Sequence, residues 1–142
     1  MITSLRVLIA GAAAAAAIAG AAGTASAAVT FATPTLNIGC HGTAKDVRCD
    51  IRSSSARRPP KPRVCDFDWG TAFGLTRRGK GRGLCVSDTV LPDPGRPPRI
   101  LRYGRSIRVN ARIVCTSRRT GLTCRNAAGH GFLLSKQRIR LY

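Results

Sequence analysis

The sequence has no glutamate and only six acidic residues, all aspartates, against 24 lysines and arginines. It holds two histidines and one tryptophan, and aromatic residues make up 5% of the chain. A stacking platform for single-stranded nucleic acid needs several aromatics on one face, and no nucleic-acid motif is present. No two cysteines have the close spacing of a structural zinc site, and only His41 and His130 remain to complete one, so neither metal nor cofactor is expected. Beyond the N-terminus no apolar run reaches the ~20 residues that span a bilayer, and no stretch shows the period of an amphipathic helix. A length of 142 residues suits one domain and leaves little room for a second.

The N-terminus explains part of that length. Residues 1–6 carry one positive charge, Arg6, and residues 7–20 form an uncharged, alanine-rich run. Ala25-Ser26-Ala27 follows as a small-residue cleavage site. Residues 1–27 are therefore read as a cleaved signal peptide and residues 28–142 as a single secreted, extracellular domain, expected to be a monomer. Removing Arg6 lowers the net charge by one from +18.

All six cysteines lie in the exported part, and an oxidising compartment permits three disulfides. An apolar residue stands two positions before each of Cys40, Cys49, Cys115 and Cys124 (Ile38, Val47, Ile113 and Leu122). On a strand, residues two apart share a face. Each unit therefore reads as a hairpin whose inner face carries two apolar residues and one cystine, 40–49 and 115–124. Cys65 and Cys85 pair by elimination. The hairpin tips share nothing clear, so the likeness is taken as common to any cystine hairpin.

Turn signals recur throughout. Residues 29–31, 36–40, 47–51 and 84–91 read as strands, and residues 53–63, rich in serine and then proline, as an exposed extended loop. Residues 106–115 alternate apolar and polar side chains with a period of two and read as one half-buried strand. Residues 122–125, 132–134 and 139–142 complete the set. The fold class is all-β: a small disulfide-stabilised sandwich or partly open barrel of antiparallel hairpins, with six to nine strands.

Several motifs recur together: Asn37-Ile38-Gly39-Cys40, Val47-Arg48-Cys49-Asp50-Ile51, Asp68-Trp69-Gly70, Leu84-Cys85-Val86-Ser87-Asp88, Leu101-Arg102-Tyr103-Gly104 and Gly129-His130-Gly131-Phe132. In this combination the chain resembles an uncharacterised family of small secreted actinobacterial proteins, a domain of unknown function. The resemblance covers nearly the whole exported part. It implies secretion and a disulfide framework, and it implies no activity. One departure is Thr35-Leu36, where the family has a small, glycine-containing turn.

Catalytic groups are scarce. Ser135, His130 and Asp88 would make a serine triad only without the strained elbow that exposes such a serine. His41 and His130 would serve as the acid/base pair of a small basic ribonuclease. The plainer assignments are a turn residue beside Cys40 and a packed residue between two glycines. Asp66 and Asp68, near Trp69, are expected to pair with arginines rather than with each other, and Asp88 to cap a turn. No enzyme is expected.

The charge sits in loops: Arg57, Arg58, Lys61 and Arg63; Arg77, Arg78, Lys80 and Arg82; Arg118 and Arg119. Arg96, Arg99, Arg102, Arg105 and Arg108 recur at every third residue, as along one side of a polyproline segment. Arginine's planar fork suits phosphate and carboxylate. The expected behaviour is non-catalytic binding of anionic cell-envelope material, a cell-wall polymer or lipid surface, through these loops. The alternatives are a secreted protease inhibitor presenting Arg118 or Arg119, and the small basic ribonuclease. Shared GC-rich codons for arginine, alanine, glycine and proline give the charge a compositional origin as well.

Overall fold

A computed structural model describes residues 27–142. The expected leader lies outside the described residues, apart from Ala27 at its end. Ten strands follow one another: β1 (Val29–Ala32), β2 (Ile38–Gly42), β3 (Asp46–Ile51), β4 (Asp68–Thr76), β5 (Arg82–Val86), β6 (Ser106–Asn110), β7 (Ile113–Arg118), β8 (Gly121–Asn126), β9 (Gly131–Leu134) and β10 (Ile139–Leu141). They form two five-stranded antiparallel meanders, β1 to β5 and β6 to β10, with no helix among the described residues. The sheets pack face to face on one core and do not close into a barrel.

Period-two burial builds that core. In β3, Val47, Cys49 and Ile51 point inward; in β8, Leu122, Cys124 and Asn126 alternate with Thr123 and the exposed Arg125. Three disulfides join Cys40 to Cys49, Cys65 to Cys85 and Cys115 to Cys124. The first and third cross directly opposed residues, with Cα atoms 4.1 and 4.0 Å apart, and all four sulfurs belong to fully buried residues.

The two sheets follow one pattern. In the first, Phe31, Cys40, Cys49 and Phe73 stand in register across β1 to β4. In the second, Ile107, Cys115, Cys124 and Phe132 stand in register across β6 to β9. Leu75 and Leu134 each follow their phenylalanine by two residues, and Val47 and Leu122 each precede their cysteine by two. The likeness of the two hairpins thus extends over four strands in register and is not merely that of any cystine hairpin. The halves differ in the β3–β4 connection, which is long, carries the Arg57–Arg63 cations and holds Cys65.

Three expectations are corrected. The strand count is ten, not six to nine. Residues 106–115 are two strands, because Asn110 makes the chain turn: its Oδ1 accepts the Arg112 N–H at 2.9 Å and its Nδ2 donates to the Thr43 carbonyl at 2.9 Å. The apolar period survives the turn, which hid it in the sequence. The strand expected at 84–91 ends at Val86, because the chain then crosses the outer face of the first sheet. Gly39 admits that crossing: a Cβ there would lie 2.8 Å from the Val90 carbonyl oxygen.

Each side seam carries one tie. Ala32 makes a parallel bridge to Ile100, flanked by bonds of 2.8 Å to the Arg99 carbonyl and from the Leu101 N–H. On the other side the Gly81 N–H donates to the Tyr142 carbonyl at 3.0 Å, and a side chain at Gly81 would overlap the Gly131 carbonyl oxygen. The β1–β2 turn is closed by the Leu36 N–H bonding the Thr33 carbonyl at 2.9 Å, with Pro34 second. Leu36 then takes a φ of 57°, the left-handed region where a side chain costs about 1–2 kcal/mol.

Burial sets the order of reduction. Cys85 is exposed, whereas Cys40, Cys49, Cys115 and Cys124 are inaccessible. Mild reductant should open Cys65–Cys85 alone, with the thermal transition retained at lower temperature. Full reduction removes three cross-links of ~2.5–3.5 kcal/mol each and should unfold the domain. Alkylation and mass spectrometry read the order; labelling of Cys40 or Cys115 at the rate of Cys85 would contradict it.

Candidate anion-binding site

Three of the six acidic side chains, Asp46, Asp50 and Asp88, are engaged within the domain itself. Asp50 is 3% exposed on the outer face of β3. It takes both arms of Arg48, at 2.9 Å each, with the Thr89 hydroxyl and the Val90 N–H at 3.0 Å. Arg48 also donates to the Asp88 carboxylate and carbonyl, both at 2.7 Å. Four of these charge-assisted bonds, from Arg48 to the Asp88 carboxylate and carbonyl and from Thr89 and Val90 to Asp50, bolt residues 88–90 across the first sheet. Hydrogen bonding to Asp50 raises the Arg48 guanidinium further, and Arg48 in turn holds the exposed Asp88 carboxyl below its ordinary range. Asp88 is thus a tether for the crossing segment. Asp46 accepts the Thr43 hydroxyl at 2.7 Å. Asp66 and Asp68, expected to pair with arginines, are exposed and make no ion pair among the described residues. The long basic loop turns its cations elsewhere: Lys61 donates to the Phe67 carbonyl at 2.9 Å, and the Arg58 stem lies against Gly70.

All six acids fall between Asp46 and Asp93. Residues 94–142, which build the second sheet, hold eleven arginines and one lysine and no acid. Among the described residues only Arg48 forms ion pairs, so this half carries its charge uncompensated. Its outer face is open. Arg108, Val114 and Arg125 stand in register across β6, β7 and β8, and Ser106, Thr116, Thr123, Leu133 and Arg140 form the neighbouring row. A shallow depression there is lined by Thr116, Arg118, Thr123 and Arg125.

At one end of the sandwich the sheets part to form a cleft of ≈ 360 Å³. The first sheet contributes Thr33, Thr35, Asn37 and Ser53; the second contributes Arg118, Arg119, Lys136 and Gln137, with Tyr103 beside them. Ile38, Leu122 and Leu134 form the floor. No carboxylate lines it. The frame is fixed by backbone bonds. Asn37 exchanges two bonds of 3.0 Å with the Ser53 backbone. The Lys136 carbonyl accepts from the Ser54 hydroxyl, the Ser55 N–H and the Ser55 hydroxyl at 3.0, 2.8 and 3.2 Å. The guanidinium of Arg119 lies 5.0 Å from the centre of the Tyr103 ring, a cation–π contact.

The structure does not gather the loop cations into one patch. Arg118 and Arg119 reach the cleft. Arg77, Arg78 and Lys80 belong to the β4–β5 turn and Arg82 opens β5, all at the opposite end, where Asn126 donates to the Thr76 and Gly79 carbonyls at 2.9 and 2.8 Å. Arg57 and Arg63 are exposed on the β3–β4 connection. The arginines at every third residue run through a bend, the Ile100 bridge and β6, so they do not line one polyproline segment. Sequence reasoning passed over Tyr103, Lys136, Gln137, Arg125 and Arg140. The legible signal for the last two was alternation along their strands; the signal for the whole half was the absence of acid after Asp93.

The candidate catalytic residues are separated. His41 lies on the outer face of β2, with Nδ1 3.3 Å from the Thr30 hydroxyl. His130 sits in the β8–β9 turn, its N–H held by Asn126 Oδ1 at 3.1 Å. Ser135 and His130 flank opposite ends of β9, and the Ser135 hydroxyl donates to the Arg138 carbonyl at 3.3 Å. Arg119, which an inhibitory loop would present outward, is folded over Tyr103. Trp69 lies against Gly83 and donates its indole N–H to the Pro59 carbonyl at 2.8 Å, a packing role. Among the described residues no cluster of His, Cys and Asp is placed to hold a metal ion, and no helix is long and apolar enough to cross a membrane.

Fold and site together define a disulfide-clamped β-sandwich with a cationic inter-sheet cleft. The chain belongs to a family of unknown function, DUF6636, whose model matches residues 4–142. No curated protein and no solved structure matches it.

The Arg48–Asp50 pair gives a stability prediction. Arg48→Ala leaves the buried Asp50 with two donors and frees Asp88, and should cost about 3 kcal/mol in urea unfolding. Arg48→Lys should recover only part, since an ammonium cannot make the forked contact. The Asp88 carboxyl is depressed in the folded state, so its contribution is present above about pH 4 and is lost as pH falls through the lower folded value. A loss of under about 0.5 kcal/mol for Arg48→Ala would contradict the tether.

Proposed function

We propose that this protein is a secreted, non-catalytic domain that binds anionic cell-envelope polymer through its second sheet. The observation that carries this is the partition of charge. Every acid falls between Asp46 and Asp93, in the strands and connections of the first half, where Asp50 and Asp88 are tied into a structural network. The second presents arginines on an open sheet face and around a cleft, with no carboxylate among residues 94–142. A compositional excess of arginine would spread over both halves without sorting the acids. Disulfides and a leader-like N-terminus support an extracellular setting. Arginines interspersed with hydroxyls on this face suit repeated phosphate or carboxylate groups, each guanidinium offering two parallel donors. Strands hold the backbones that carry these side chains at fixed spacing, so the pattern of charges is set before binding.

The test is calorimetric titration of the oxidised protein with long-chain polyphosphate, polygalacturonate and neutral dextran at 50 and 200 mM salt. The two polyanions should bind, dextran should not, and affinity should fall by ~10²-fold or more between the two salts if several contacts form. Replacing Arg125 and Arg140 by Ser should weaken binding by about tenfold or more. Replacing Arg77, Arg78 and Lys80 by Ser, at the opposite end, should change it less than about threefold. Equal losses from both sets would reduce the behaviour to net charge and overturn the proposal.

A further inference from the structure

We infer that the inter-sheet cleft is a binding site for a single sugar ring carrying one anionic group, the terminal or pendant unit of such a polymer; this rests on the anionic-polymer reading and names the ligand of its deepest site. The cleft's ≈ 360 Å³ lies near the lower end of the ~300–1,000 Å³ of small-molecule sites, the scale of one ring rather than a chain. Its charge is of one sign. Arg118, Arg119 and Lys136 converge there, none with an ion-pair partner among the described residues. Arg119 is set in advance: the Tyr103 ring beneath its guanidinium fixes a side chain that would otherwise lose rotamer freedom on binding. Tyr103 is thus a positioning residue.

An anion alone does not account for the rest of the lining. The Thr35 and Ser53 hydroxyls and the Gln137 amide face the cleft without a side-chain hydrogen bond among the described residues, a set of donors and acceptors that matches sugar hydroxyls. The floor of Ile38, Leu122 and Leu134 is apolar, as the C–H face of a ring requires. Beside it, Ser117, the register partner of Leu122, carries a fully buried hydroxyl with no partner. The walls are preformed by the Asn37–Ser53 exchange and the triply bonded Lys136 carbonyl, so the site does not have to assemble around its ligand.

The experiment is titration of the oxidised full domain with glucose 6-phosphate, glucuronic acid, glucose and inorganic phosphate, followed by amide chemical shifts. At least one of the two charged sugars should bind, and glucose and phosphate should each bind about tenfold or more weakly; which charged sugar wins separates a phosphate from a carboxylate ligand. Arg119→Ala should weaken the charged sugar by about tenfold, the loss of one charge-assisted contact. Tyr103→Ala should weaken it several-fold, whereas Tyr103→Phe keeps the ring and should bind as the unaltered protein does. Arg77→Ser with Lys80→Ser, at the opposite end of the sandwich, should leave it unchanged. Retention of the native near-UV signal of Trp69 shows that each variant is folded. Phosphate binding as tightly as glucose 6-phosphate, or an unaffected Arg119→Ala, overturns the inference. Polyphosphate binding measured on the same samples separates the two claims: polymer binding without sugar binding removes the cleft ligand alone, and failure of the polymer removes the reading beneath it.

Discussion

Two cystines buried in one core set the terms for everything outside it. Each bridges directly opposed residues in the second and third strands of its meander, where it fixes register as well as chain proximity. A slip of one residue would turn every inward side chain outward, and the cystine forbids it. Register fixed at the centre propagates to the rows Phe31–Cys40–Cys49–Phe73 and Ile107–Cys115–Cys124–Phe132, which supply much of the apolar core. A domain this small buries a modest core, so covalent cross-links stand in for area. The ends and outer faces are then free to vary in charge and loop length.

That freedom is used asymmetrically. The outer face of the first sheet is covered by the segment after β5, held by Arg48 and Asp50 across 40 residues of sequence. The outer face of the second sheet is left open and cationic. The same residue type serves opposite ends: Arg48 is saturated by two aspartates, while Arg118, Arg119, Arg125 and Arg140 meet none among the described residues. The cleft lies where the two regimes meet, between hydroxyl and amide groups of the acid-bearing half and cations of the acid-free half. The strained Leu36 turn stands between Thr35, which faces this cleft, and the depression under the proline-rich loop. Strain of this kind persists where the surroundings over-determine the backbone.

Much of the fold is legible in the residues because it is local. Period-two alternation, apolar residues two before cysteines and recurrent turn formers announce an all-β chain of hairpins, and the structure has that architecture. The places where the reading fails share a cause. Asn110 turns the chain without breaking the apolar period, because its side chain bonds Arg112 and Thr43, a partner 67 residues away. The strand after Cys85 stops at Val86, because Asp50 captures Thr89 and Val90 from a different strand. The site is less legible still. Arg118 and Arg119 stand out as loop cations, but Lys136, Tyr103 and Ser53 reach the cleft only through the packing of one sheet on the other, which no local pattern encodes.

If the uncompensated positive charge left on the second half by the sorting of the acids acts as one surface, a polyanion should dock there. Amide chemical shifts of the labelled, oxidised protein during titration with long-chain polyphosphate test it most directly. Perturbations should be confined to β6 to β10 and the rim of the cleft, around Thr116, Arg118, Arg125 and Lys136, with the β4–β5 turn unmoved. Equal perturbation of residues 57–63, 77–82 and the second sheet would contradict it.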